Sequence, residues 1–81
     1  MQRQGRQPRP PNTEYRLRFG AVVRARREAA DVSQEDLANQ LGMGRRYIGA
    51  IERGEVAPTL DRVVLIAEGL GVQPADLMPR L

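Results

Sequence analysis

The feature that most constrains this chain is its punctuation between Val32 and Leu77. Three pairs of apolar residues, Val32 and Leu37, Met43 and Ile48, Val72 and Leu77, each bracket a capping position at the spacing of a hydrophobic staple. A staple fixes the angle at which the chain enters a helix. Ser33 is a strong N-cap, and Glu35 and Asp36 suit the first turn that follows it. Gly44 is the corresponding cap of the next segment. Gly42 and Gly54 stand where these two helices stop. Thr59 caps a further helix, in which Leu60, Val63, Val64, Ala67 and Leu70 predict an apolar stripe closed by Gly69 and Gly71. Gln73 and Pro74 open a short last helix, with proline at its favoured first position.

Ahead of this series, Tyr15, Phe19, Val22, Val23 and Ala30 recur at helical spacing and predict a helix from Glu14 to about Ala30. Asp31, which tolerates a left-handed turn, follows it. No strand pattern competes and no internal repeat is present. The expectation is an all-α domain of five helices over residues 14–81, preceded by an arm, residues 1–13. The arm is polar, rich in Pro, Gln and Arg, and has nothing to bury, so it reads as disordered.

Composition narrows the chemistry. The chain has 81 residues, enough for one small domain with a modest core. Cysteine and histidine are both absent. That removes disulfides, the usual general base and the commonest zinc ligands. No metal and no cofactor is called for. No apolar run approaches the length of a membrane span, and the N-terminal stretch is not a secretory signal, so the expected compartment is the cytoplasm. All 13 basic residues are arginine, against 10 acids. Three arginines, Arg3, Arg6 and Arg9, lie in the arm, which has no acid; the remainder is balanced. An anionic partner must therefore be drawn by a local patch or by the arm.

That patch is found between Gln34 and Arg53. Leu37 and Leu41 face a core one turn apart, Ala38 is small where a following helix crosses, and Gly42 makes a tight turn. Ile48 and Ile51 pin the next helix to the same core. These intervals describe a helix-turn-helix, whose second helix protrudes into a DNA major groove. With Ile48 and Ile51 pointing inward, Arg45, Arg46, Gly49, Ala50 and Arg53 fall on the outer side. Arg45 and Arg46 occupy the first turn, the part of a recognition helix that reaches base edges. Arginine binds guanine O6 and N7 in bidentate fashion, worth roughly 1–3 kcal/mol of discrimination. Ala50 suits a thymine methyl, and Gly49 lets the backbone approach. Tyr47 is left with two readings, a hydroxyl on phosphate or a ring packed beside the helix. Arg53 suits backbone phosphate or the carbonyls at the helix end.

The stretch "VSQEDLANQLGMGRRYIGAIERGEVAPTLDRVVLIAEGLGVQPADL", with "FGAVVRARREAAD" before it, resembles the Cro/phage-repressor type of helix-turn-helix, the XRE family of transcriptional regulators. The likeness spans roughly Phe19 to Leu77. It implies a lambda-repressor-like fold and sequence-specific binding of double-stranded DNA. It implies that Gln34 grips a phosphate, and that Glu52 pairs with Arg27 in a partly buried strut. Stand-alone regulators of this size resemble the controller proteins of restriction–modification systems; "RRYIGAIERGEVAPTL" is similar to their recognition region. Asp31, Arg26, Gly44 and Gly49 depart from the usual pattern, the first in place of a common glycine, the second of an apolar residue.

Such a domain is expected to act as a homodimer on a palindromic operator, with two recognition helices about 34 Å apart. The candidate dimer surface is Leu70, Val72, Leu77, Met78 and Leu81, though Leu77 also suits the core. The arm reads as a solvated leader or as a reach toward phosphates or the minor groove. No membrane partner and no small-molecule ligand is indicated. The alternatives are an antitoxin or a protein-interaction module on the same fold. An enzyme is disfavoured, because the sole serine, Ser33, is explained as a cap and Glu35 and Asp36 do not converge.

Overall fold

The computed structural model describes residues 13–80. The expectations for the arm, Thr13 apart, and for Leu81 lie outside them. Four α-helices follow in order: α1 (Thr13–Ala29), α2 (Gln34–Leu41), α3 (Arg45–Glu52) and α4 (Leu60–Leu70). The described residues contain no strand.

The fifth helix expected from sequence is instead a single 3-10 turn, Pro74–Leu77. Gln73 and Asp76 close a reciprocal capping box within that turn. Met78 is already extended, at φ −86° and ψ 120°. Pro79 explains this, because a residue before proline is pushed out of the helical region. The segment therefore has a start signal and a stop signal with no room for an α-helix between them.

The caps form as single hydrogen bonds. Ser33 Oγ accepts from the Asp36 amide at 2.9 Å, and Thr59 Oγ1 from the Arg62 amide at 3.3 Å. Gly44 caps α3 without any side-chain bond. Asp31 adopts the left-handed conformation at φ 59°, so it performs the turn that glycine commonly makes. Gly42 does the same at φ 68° and gives its amide to the carbonyls of Ala38 and Asn39. That turn sets α2 and α3 against each other.

The core runs through Phe19 and Val23 of α1, Leu37 and Ala38 of α2, Ile48 and Ile51 of α3, Val63, Ile66 and Ala67 of α4, and Leu77. Leu77 is fully buried, which removes it from the expected dimer surface. It is the plug that the terminal turn exists to insert. The stripe predicted on α4 is also corrected. Its buried arc is Val63, Ile66 and Ala67 with Leu70 beside them, whereas Leu60 is 77% exposed and Val64 and Leu65 lie at the surface. Leu60 is the first residue of its helix, and it and Val64 fall one ridge away from the core side.

Helix α1 comes exceptionally close to α3 at one place. A Cβ on Gly20 would meet the carbonyl oxygen of Ile51 and lie 2.6 Å from that of Glu52. Only glycine lets the α1 backbone seat against the last carbonyls of α3. No helix among the described residues is long and apolar enough to cross a membrane.

Candidate nucleic-acid interface

Helix α3 is held by its apolar side and displays its cationic side. Ile48 and Ile51 are fully buried, while Arg45, Arg46 and Arg53 are exposed. The first turn brings Arg45 and Arg46 side by side, and Arg53 caps the other end of the helix. With Gln34 and Gly49 these three arginines line one polar hollow of about 360 Å³. Among the described residues neither Arg45 nor Arg46 is paired with a carboxylate.

The expected residues do not all sit alike. Gly49 is buried at the floor of the hollow rather than bare at its rim. A Cβ there would lie 3.0 Å from Arg53 Nη1 and 3.6 Å from Gln34 Oε1, so those side chains cover it. Ala50 is half-buried and does not line the hollow. Gly44 stands exposed just ahead of Arg45. Tyr47 packs its ring against the core, and the Arg62 guanidinium lies over that ring, 4.6 Å from its centre. Arg62 has no signal in the sequence, because nothing local ties residues 47 and 62.

Beneath the hollow lies a second arginine system. Arg27 Nε donates to Glu52 Oε2 at 2.7 Å, and Arg27 Nη2 to Glu52 Oε1 at 3.0 Å. Gln34 Nε2 donates to Glu52 Oε1 as well, at 2.9 Å, and Arg27 Nη1 to the Val32 carbonyl at 2.9 Å. The two charged side chains are only 11% and 3% exposed. Three donors on one carboxylate offset the cost of burying it near the C-terminal end of a helix, where a negative charge is unfavourable. The hydrogen bonds it donates to Glu52 hold the Arg27 guanidinium above its ordinary pKa, outweighing the opposing effect of burial. The same network fixes Gln34, whose amide is tied to Glu52 on one side and faces Gly49 on the other.

Arg53 carries its own acid. Its Nε donates to Glu55 Oε2 at 2.9 Å and its Nη2 to Glu55 Oε1 at 3.2 Å. Both side chains are more than half exposed. The bond raises the Arg53 pKa and lowers that of Glu55. In the sequence Glu55 carries one signal, an acid two residues beyond an outward arginine.

On the far side, Leu70 and Val72 pack half-buried against the core, and Met78 is 47% exposed. Leu81 lies outside the described residues.

Comparison with known proteins agrees with this geometry. Residues 23–77 match the family HTH_3, described as helix-turn-helix. The chain is 45% identical over 64 residues to the control protein C.BamHI of Bacillus amyloliquefaciens, covering 78% of this chain and 79% of that one. It is 34% identical to the control protein C.MunI of a Mycoplasma species, covering 79% and 88%. Among solved structures it resembles the restriction-modification controller protein C.AhdI from Aeromonas hydrophila. There the TM-score is 0.76 and the identity 35%, with 78% of this chain and 96% of that one covered.

Proposed function

Because the chain belongs to the helix-turn-helix family, and so is a DNA-binding transcriptional regulator, we propose that it reads its operator with α3 in the major groove. Arg45 and Arg46 are the base readers, each suited to a guanine edge. Gln34 and Arg53 flank them and meet phosphates, which set the register of the helix on the duplex. The observation that carries this is the hollow itself: three arginines and one amide converge on the exposed side of a helix whose isoleucines are all inside. An acidic or apolar face there would have favoured a protein-interaction module. The relatives are regulators, and we read this chain as one that performs no catalysis.

We further propose a homodimer on a palindromic operator, acting in the cytoplasm as a restriction–modification controller. Of the residues expected by sequence, Leu77 is excluded by its burial; exposed Met78 stays in the proposed pairing surface, and the exposed apolar residues of α4, Leu60, Val64 and Leu65, are added to it. Two half-sites one DNA turn apart, about 34 Å, follow from two-fold pairing.

Selection of bound sequences from random DNA tests the reading. It should return an inverted repeat whose half-site contains guanines lost from the preference of Arg45→Ala or Arg46→Ala. Affinity should fall steeply with salt. Equal affinity of the wild type and both variants for operator and scrambled DNA would sink specific recognition. A monomer at operator-saturating concentration would sink the dimer.

A further inference from the structure

We propose that Glu55 is a built-in competitor for phosphate: it holds the edge of Arg53 that the DNA backbone would take, and so sets how strongly the protein binds DNA of any sequence. The inference rests on the DNA-binding reading of α3.

Three observations carry it. First, the contact is bidentate and uses Arg53 Nε and Nη2, at 2.9 and 3.2 Å. That edge of a guanidinium matches carboxylate and phosphate alike, so the two ligands exclude each other there. Second, the remaining nitrogen, Nη1, is folded over Gly49, 3.0 Å from where a Cβ would stand. The edge that Glu55 takes, Nε with Nη2, is therefore the one that faces away from the helix floor and toward an incoming anion. Third, the other two arginines of the hollow have no carboxylate partner among the described residues. The masking is therefore selective. It leaves the two base readers at full charge and neutralises the residue placed for the backbone. Lowering the phosphate contribution in this way raises the share of affinity that depends on sequence.

The pair is exposed on both sides, so exchange of one anion for another needs no unfolding, only a rotation of the Arg53 side chain. Glu55 is a positioning residue; it touches no base.

The test is a double-mutant cycle on the full chain, using a labelled operator duplex and a scrambled duplex of equal length. Glu55→Gln should bind both duplexes about two- to fivefold more tightly, since an exposed ion pair is worth little. The slope of log affinity against log salt should steepen by about one. In an Arg53→Gln background the same change should have no effect on either quantity. A gain that persists without Arg53 would assign the effect to general repulsion of DNA by an acid and overturn the proposal. A loss of affinity in Glu55→Gln would make Glu55 a brace that aims Arg53, and would overturn it equally. If the wild type binds neither duplex, the failure lies with the DNA-binding reading. Thermal unfolding of each variant should be unchanged, because neither side chain is buried.

Discussion

Two arginine–glutamate pairs sit at the two sides of α3, alike in chemistry and opposite in role. Arg27 and Glu52 are bidentate, as are Arg53 and Glu55, and the distances differ by a few tenths of an ångström. The difference is exposure: 11% and 3% for the inner pair, 59% and 55% for the outer. In the inner pair each charge has lost its water and depends on its partner. In the outer pair each charge keeps its water and can change partners at small cost. Two glycines repeat the contrast. Gly20 faces backbone carbonyls that cannot give way; Gly49 faces the tip of a flexible arginine. The inner side of α3 is built to be immovable and the outer side to be exchangeable.

The sharpest way to break that contrast is Arg27→Ala. It strands the buried Glu52 carboxylate, and chemical denaturation should show a loss of about 3–5 kcal/mol. Replacing both residues, Arg27→Met with Glu52→Met, should cost less than the single change. A single variant with unaltered stability would show that the inner pair is as dispensable as the outer. Next comes Gly20→Ala, where a methyl group enters backbone space. A loss of about 2–3 kcal/mol is expected despite the gain in helix propensity. Arg45→Ala and Arg46→Ala should cost about 1–3 kcal/mol of discrimination between operator and scrambled DNA. Their thermal unfolding should match that of the wild type. Smallest is Gly49→Ala, which displaces only the end of Arg53 and should stabilise the fold by up to about 1 kcal/mol. A destabilisation there comparable to that at Gly20 would erase the distinction between the two faces.

Much of the scaffold was legible because its signals are local. Ser33 and Thr59 cap the helices that follow them, and Gly42 turns α2 into α3, each within a few residues of the chain. The arginine face of α3 was legible for the same reason, since Ile48 and Ile51 set its inward direction. What was not legible depends on distance or on competition. Arg27 and Glu52 are 25 positions apart, and only the family resemblance suggested them. The crossing at Gly20 has no signature, because a glycine in a helix does not say which neighbour fills the space. On α4, Leu60 and Val64 fit the helical period as well as Ile66 does; which arc is buried was decided by α2 and the terminal turn that pack against it. The terminal segment has a proper helix start, but Pro79 stops it after a single turn.

The seating of α1 on the last carbonyls of α3 has a practical consequence. It fixes the standoff of the reading helix by backbone contact, independently of the side chains that face outward. A library randomised at positions 45 and 46 should therefore share one docking pose. Differences in preferred sequence among its members can then be attributed position by position, rather than to helices that have tilted or sunk. The domain is suited to retargeting because its depth gauge and its vocabulary are made of different residues.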